Sequence, residues 1–143
     1  MDDVFLHRIG PRRSELDSTG AIGSMWYVAY LDEAMAAFLT GRGVSLDELA
    51  AGGVAIRAAH AELDWHAEAT SAAPLEIAVS TAAVRRTSFS LDFEVRRSGV
   101  ALARGHTVYV VTRGDGAGAL PDALRTALEP VRPLRADRLS GWR

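Results

Sequence analysis

Apolar residues occupy every second position from Phe89 to Val95, with serine and charged residues between them. This period of two predicts a strand with one buried face, and it is the clearest strand pattern in the chain. The pattern passes through Ser98 and Gly99, a hairpin turn signal, into a last strand over residues 100–112. The sequence therefore predicts a pair of antiparallel strands in this half of the chain.

Two earlier stretches of the chain show the same alternation. Residues 54–65 predict a strand whose phase changes near residues 58–60, which indicates a bulge. After a loop over residues 68–74, another strand is expected from Leu75 to about Arg86. Together with the pair described above, these stretches predict four consecutive strands.

A helical spacing of apolar residues replaces the strand pattern after Ser24, which is the predicted N-cap. Small and apolar residues fill nearly every side of this segment up to Leu39, which favours a helix that is buried rather than half exposed. Gly41 and Gly43 are expected to end the helix.

Shorter elements are expected on both sides of these segments. Residues 4–16 predict a strand that Pro11 weakens in its middle, and Ser45 is a suitable cap for one short helical turn. Residues 114–120 predict a flexible connector, and Pro121 suits the first position of a final helix that Pro130 and Pro133 would stop. The tail up to residue 143 is expected to be loosely held.

The order of these elements predicts the class of fold. We expect an α+β fold in which a five-stranded, mostly antiparallel sheet wraps around one long buried helix, with a short C-terminal helix after it. The 143 residues suffice for one domain, which we place at residues 1–130 with residues 131–143 as the tail. Since such a sheet has open edges and its helix covers one face, dimerisation is expected.

Composition and charge narrow the range of functions. The formal net charge is −2, and all 16 basic residues are scattered arginines, so we expect no nucleic-acid partner. No cysteine is present, which excludes disulfides, thiolate metal sites and cysteine nucleophiles. The sequence shows no signal peptide or membrane-spanning segment, and the histidines lack metal-ligand spacing. We therefore expect a cytoplasmic protein with no membrane or metal partner.

Asp17 stands at the start of a run of small residues that leads into the predicted long helix. Small residues let a backbone bend sharply and approach a ligand closely, and the first turn of a helix offers unpaired N–H groups. An acid beside such donors could attack a carbonyl carbon or activate water against it. The alternative is structural, because Asp before Ser-Thr-Gly is also common in turns.

The order of elements and several residues resemble the hotdog fold, and more narrowly its 4-hydroxybenzoyl-CoA thioesterase branch. The similarity covers about residues 4–112. The residues that carry it are Asp17, Gly20, Ile22, Tyr27, Glu33 and Ala34, with the acid-x-acid triplet of Glu15, Leu16 and Asp17, the strand pair over residues 84–95 and the last hairpin over residues 98–107 with Gly105.

This resemblance implies a thioesterase that cleaves acyl thioesters of coenzyme A or of acyl carrier protein. Asp17 matches the catalytic carboxylate of the family, which acts as nucleophile or as base for water. The oxyanion donor of the family is a backbone N–H at the start of the helix, which corresponds here to the region of Ser24 and Met25. No separate cofactor is implied, because coenzyme A or phosphopantetheine is part of the substrate, and the assembly is expected to be a homodimer or a tetramer.

The resemblance also implies a set of substrate-binding residues. Arg85, Arg86 and Ser88 match a strand end where relatives often hold the phosphates of coenzyme A, although an exposed arginine pair at a turn is an equally good interpretation. The bend and the first helical turn add the rest of the set, which is Gly20, Ser24, Met25, Trp26 and Tyr27.

The bend departs from the family pattern, which leaves other functions open. Many relatives have histidine and asparagine in the bend, where this chain has Ala21, Gly23, Ser24 and Trp26. One alternative is a hotdog protein that binds an acyl or polyketide carrier without catalysis. Others are a polyketide cyclase-like α+β roll, which places several helices before its sheet, and a hotdog hydratase. Glu33 is a second acid on the helix, for which a solvated or dimer-contact role is favoured.

Overall fold

A computed structural model describes residues 4–134 of the chain. A 3₁₀ turn at Arg13–Glu15 lies between the first strand and the first helix. None of the helices in this part of the chain is long and apolar enough to cross a membrane. The strands and helices, in chain order, are β1 Phe5–Ile9, α1 Ser24–Thr40, α2 Leu46–Ala51, β2 Val54–Trp65, β3 Leu75–Val84, β4 Ser88–Arg97, β5 Val100–Arg113, β6 Gly116–Ala117 and α3 Asp122–Ala127.

The strands form one antiparallel sheet in the order β1-β3-β4-β5-β2. The two-residue strand β6 pairs with the end of β5. The predicted hairpin turn is confirmed, since Ser98 and Gly99 have φ angles of 52° and 78° between β4 and β5. The predicted bulge is also confirmed, because the pairing of β2 with β5 shifts between Ala58 and His60. β1 and β2 form the two edges of the sheet.

The central strand β4 carries the alternation that the sequence shows, and both of its faces are buried. Its apolar residues face α1, and none of them is more than 1% exposed. On the opposite face, Asp92 and Glu94 are each only 4% exposed. Glu94 accepts hydrogen bonds from Arg96 Nε at 2.7 Å and Arg104 Nε at 3.1 Å. These contacts offset the cost of removing the Glu94 charge from water.

Helix α1 lies across the apolar face of the sheet and buries one of its own sides. Its buried residues are Tyr27, Tyr30, Leu31, Ala34, Met35, Phe38 and Leu39. The helix passes close to β5 at Gly105, where an added Cβ would lie 2.8 Å from Leu31 Cδ1. The other side of the helix, which includes Val28 and Ala29, is exposed in the single chain. The helix is therefore half exposed in the single chain, contrary to the prediction of a helix that is buried rather than half exposed. Its uncovered face carries Asp32 and Glu33 beside small and apolar residues.

Polar side chains fix the helix at three places. The Tyr30 hydroxyl donates to Glu15 Oε1 at 2.5 Å, ahead of the helix. Glu33 Oε2 lies 2.8 Å from His7 Nε2 on β1, so this acid pairs with a strand residue. The Tyr109 hydroxyl on β5 donates to Asp32 Oδ1 at 3.1 Å.

Several local predictions are wrong, each for an identifiable reason. The first strand ends at Ile9 rather than near residue 16, because Pro11 cannot donate to a ladder and the chain then turns through the 3₁₀ segment. The connector over residues 114–120 contains β6. Pro121 is the N-cap of α3 and not its first residue. Ser45 does cap α2, since its side chain accepts from the Glu48 amide.

The start of the predicted tail lies against the outer face of the sheet, meaning the face away from α1. The Arg132 amide donates to the Thr81 carbonyl at 2.8 Å. The Leu134 amide donates to Asp92 Oδ2 at 3.2 Å, while Asp92 Oδ1 lies 2.8 Å from His106 Nδ1. Residues 132–134 are therefore held, whereas the rest of the predicted loose tail, residues 135–143, lies outside the described residues.

The contact of His106 with Asp92 makes stability depend on pH. The hydrogen bond to Asp92, with the nearby charges of Asp92 and Glu62, raises the pKa of His106 above 6.5 despite partial burial. A raised folded-state pKa contributes stability that is fully present below the unfolded pKa and is lost as pH rises through the folded value. We expect His106→Gln to lower the free energy of unfolding more at about pH 5.5 than at about pH 9.

Denaturant unfolding of both proteins across this range measures the difference. His60→Gln, at an exposed position of β2, controls for the loss of an imidazole from the sheet. A loss of stability in His106→Gln that is equal at both pH values would contradict a charged contact with Asp92.

Candidate active site

Residues 15–23 form a tight hairpin that ends where α1 begins, and we call it the 15–23 hairpin. Leu16 and Ile22 form an antiparallel bridge, and the Gly23 amide donates to the Glu15 carbonyl at 3.0 Å. At the tip, the Gly20 amide donates to the Asp17 carbonyl at 3.0 Å. Gly20 has a φ of +85°, a conformation that favours glycine, so it serves the turn.

Asp17 lies at the tip of this hairpin and folds its side chain over the turn. One carboxylate oxygen, Oδ1, accepts from the Thr19 amide at 2.8 Å, the Thr19 hydroxyl at 2.6 Å and the Ala21 amide at 3.1 Å. These donors, the Thr19 hydroxyl first, lower the pKa of Asp17 below its usual 3.8. The turn-forming interpretation of Asp17 is therefore confirmed.

The other oxygen of Asp17, Oδ2, accepts no hydrogen bond from residues 4–134. The side chain is exposed in the single chain. An ionised carboxylate that is fixed through one oxygen leaves the second oxygen available for a substrate or a water molecule. The structural role of Asp17 and a catalytic role are thus compatible.

The start of α1 has no side-chain cap. Gly23 is the N-cap, so the prediction that Ser24 caps the helix is wrong, and Ser24 is instead the first helical residue. The Trp26 amide donates back to the Gly23 carbonyl at 3.0 Å. The Ser24 and Met25 amides precede this first bond and have no acceptor within residues 4–134, as expected at a helix N-terminus. They are the available donors for an anionic oxygen.

Exposed apolar side chains lie on the first turns of α1 and at the end of β2, and we call Met25, Trp26, Val28 and Trp65 the helix-start patch. Met25 is 76% exposed and Trp65 is 47% exposed. The ring of Trp26 covers the backbone of Gly23, where an added Cβ would lie 3.3 Å from Trp26 Cδ1. This patch supplies the apolar and aromatic contacts that an acyl group would need.

Tyr27 belongs to the core rather than to this exposed surface. It is 2% exposed, and its ring meets Trp65 edge-on at a centroid distance of 5.7 Å. Burial raises the pKa of Tyr27, and the charge of Arg97 opposes that effect. Tyr27 therefore supports Trp65 from below.

The structure places the predicted phosphate-binding residues at the other end of the sheet from Asp17. Trp65 pairs with Ala103, whereas Ser88 pairs with Val110, seven residues further along β5. At about 3.3 Å per residue this is roughly 20 Å. Arg85 and Ser88 line a cavity of about 270 Å³ on the outer face of the sheet. Within one chain, these residues and Asp17 do not form a single site.

The family model described as the thioesterase-like superfamily matches residues 11–128. The chain belongs to this superfamily. Membership supports thioester hydrolysis as the general chemistry of the domain. No curated protein matches the chain.

Solved structures agree with this assignment. The hypothetical protein TT1821 from Thermus thermophilus is 27% identical, with a TM-score of 0.84 over 89% of this chain and 98% of that one. A 1,4-dihydroxy-2-naphthoyl-CoA thioesterase from Synechocystis is 22% identical, with a TM-score of 0.81 over 88% and 96%. The gentisyl-coenzyme A thioesterase BH1999 is 23% identical, with a TM-score of 0.80 over 88% and 100%. The hotdog fold is confirmed, and the polyketide cyclase-like roll is excluded.

Two residues that hold the site together were not predicted: Thr19 fixes the Asp17 carboxylate, and Arg97 bonds the neighbouring loop. Glu15 was expected only from the acid-x-acid triplet, and the structure adds that it accepts from Tyr30 and from the Arg12 amide. Thr19 had a local signal, since a hydroxyl two residues after an Asp often completes a turn. The contacts of Glu15 with Tyr30 and of Arg97 with Thr70 join residues that are distant in sequence.

Removing the Thr19 hydroxyl tests how the Asp17 carboxylate is held. Thr19→Val keeps the amide donor and loses the shortest hydrogen bond, so we expect the pKa of Asp17 to rise toward 3.8. Carbon-13 NMR titration of the Asp17 carboxyl group measures the change. Ser18→Ala, which removes the adjacent hydroxyl, is the control. An equal shift in both variants, or none in Thr19→Val, would contradict this arrangement.

Proposed function

We propose that the protein hydrolyses acyl thioesters of coenzyme A or acyl carrier protein, with Asp17 as the catalytic carboxylate. The observation that carries this proposal is the junction of the 15–23 hairpin with the uncapped start of α1. At this junction the ionised carboxylate of Asp17 and the unbonded amides of Ser24 and Met25 belong to one short segment whose backbone is fixed by hydrogen bonds. Family membership supports the reaction type.

The proposed chemistry uses both parts of that junction. Asp17 Oδ2 either attacks the thioester carbonyl carbon itself or takes a proton from a water molecule that attacks. The carbonyl oxygen becomes anionic and accepts hydrogen bonds from the Ser24 and Met25 amides, and one such donor is typically worth about 2.7–4 kcal/mol. In the base route the C–S bond breaks and the thiolate takes the proton that Asp17 removed from water. In the nucleophile route C–S cleavage leaves an acyl anhydride on Asp17, and water hydrolyses this anhydride to the free acid and the regenerated carboxylate while the thiolate takes a proton of that water. Either route consumes one water molecule.

The helix-start patch supports an acyl group with an aromatic or otherwise flat part. Trp26 and Trp65 offer ring faces and edges, which favour offset or edge-on contacts with another ring. Two of the structural neighbours carry names that describe aromatic acyl-CoA substrates. We therefore propose an aromatic acyl thioester as the first substrate class to test.

The proposal includes a homodimer formed through β2. This strand is a twelve-residue edge of the sheet, and pairing with the same strand of a second copy would be antiparallel about a two-fold axis. Such pairing places the helix start of one chain beside the opposite end of the other sheet. Arg85 and Ser88 of that second copy line its outer face, so we propose that coenzyme A passes around the end of the sheet to bring its phosphates to Arg85, Arg86 and Ser88.

The most direct substitution is Asp17→Asn. It preserves an oxygen that can accept from Thr19 and Ala21 but cannot act as base or nucleophile, so the fold should be kept. We expect kcat to fall by about 10²–10⁴-fold, the usual contribution of such a group. Thiol release from benzoyl-CoA and related aromatic acyl-CoA substrates measures the rate.

Asp115→Asn, at an exposed position in the turn between β5 and β6, is the matched control and should retain full activity. Unchanged hydrolysis in Asp17→Asn would refute Asp17 as the catalyst. Tight acyl-CoA binding by the wild type without thiol release would instead support the non-catalytic alternative, which the absence of histidine and asparagine from the bend favours.

A further inference from the structure

Arg97 is the last residue of β4 and extends toward the face of the sheet that carries α1. Its neighbour Arg96 points to the outer face, where it bonds Glu94. The two arginines thus share one strand end and project to opposite sides. Their different surroundings allow one to serve as a control for the other.

The guanidinium group of Arg97 binds three carbonyl oxygens of the loop over residues 66–74, which we call the 66–74 loop. Nη1 donates to the Thr70 carbonyl at 2.5 Å. Nη2 donates to the Ala73 carbonyl at 2.5 Å and to the Ser71 carbonyl at 3.3 Å. Ser71 has a φ of 72°, a conformation that residues other than glycine rarely adopt. A planar fork of donors is suited to hold such a turn.

The same loop pairs with the 15–23 hairpin through one isolated antiparallel bridge. The Ile22 amide donates to the Ala69 carbonyl at 2.9 Å, and the Ser71 amide donates to the Gly20 carbonyl at 2.9 Å. Ala21 and Thr70 form an antiparallel bridge between these two bonds. Residues 20–22 of the hairpin therefore pair with residues 69–71 of the loop, and Arg97 donates to the carbonyl groups of Thr70 and Ser71 in that segment.

Ala21 connects this arrangement to the reacting groups. Its amide donates to Asp17 Oδ1, and its carbonyl accepts from the Asp17 amide at 2.7 Å. A displacement of Ala21 would move the carboxylate of Asp17 and the backbone that leads into the first helical amides.

We propose that Arg97 is a positioning residue for thioester hydrolysis, acting through the 66–74 loop on Asp17 and on the start of α1. This inference rests on the proposed function. Arg97 itself does not touch the substrate in this role. A misplacement of about 1 Å in reacting groups can lower a rate about a hundredfold, so the loop contacts matter to the rate.

The test compares Arg97→Ala, Arg97→Lys and the control Arg96→Ala, in which Arg104 still pairs with Glu94. We expect Arg97→Ala to lower kcat about ten- to a hundredfold with little change in KM. We also expect the acid limb of kcat/KM to move to higher pH, because Asp17 loses part of its Ala21 hydrogen bond. Lysine should restore part of kcat, and Arg96→Ala should leave it unchanged.

Two measurements are independent of hydrolysis. Amide hydrogen exchange should become faster at Ile22 and Ser71 in Arg97→Ala and not in Arg96→Ala, and NMR titration should show a raised pKa of Asp17. If the wild type hydrolyses no thioester, the proposed function fails, while these measurements still decide whether Arg97 positions Asp17. Faster exchange with an unchanged Asp17 pKa and unchanged kcat would overturn the inference, as would unchanged exchange.

Discussion

The hydrogen bond from the Gly23 amide to the Glu15 carbonyl is the contact on which the rest of the site depends. Gly23 is both the last residue of the hairpin and the N-cap of α1. The position of Asp17 relative to the first helical amides is therefore fixed by backbone geometry over a few residues. The Tyr30 hydroxyl, which donates to Glu15 Oε1, fixes the first residue of the hairpin from the buried side of the helix. Neither contact needs a polar side chain in the bend, which explains how Ala21 and Gly23 are accommodated.

The two faces of the sheet are stabilised by different interactions. The face under α1 is apolar and closely packed, with Gly105 allowing Leu31 to approach β5. The outer face buries Asp92 and Glu94, and their charges are matched by arginine and histidine side chains. Because buried ion pairs mainly avoid a penalty rather than add stability, the apolar face remains the source of folding free energy.

Most of the fold could be predicted from the sequence because its signals are local. The alternation in β4, the turn at Ser98 and the bulge near Ala58 each depend on a few neighbouring residues, and all are confirmed. The N-cap of α1 was misassigned because Ser24 has the right chemistry one position too late. The strand pairing that places Arg85 far from Asp17, and the reach of Arg97 across to Thr70, depend on register between distant segments. No local pattern specifies such contacts.

At the candidate site, the hypothesis of a catalytic acid depended on Asp17. The groups that bind its carboxylate, and the amides beside it, are identified by the structure. Asp17 stood out as an isolated acid before a helix, and the structure adds that one of its oxygens is fully engaged while the other is open. The helix amides complete the site without a sequence signature, since every helix has unpaired first amides. These amides can serve as oxyanion donors here because the 15–23 hairpin brings the Asp17 carboxylate into the same short segment.

The most direct measurement follows the Ser24 and Met25 amides by nitrogen-15 NMR while an inert aromatic acyl-CoA analogue binds. In this analogue a CH₂ group replaces the thioester sulfur. The carbonyl group is retained, and the acyl group cannot be cleaved from coenzyme A. We expect these two amide signals to shift most, together with the Asp17 carboxyl signal. Shifts confined to other surfaces, such as the cavity beside His106, with Ser24 and Met25 unchanged, would contradict it.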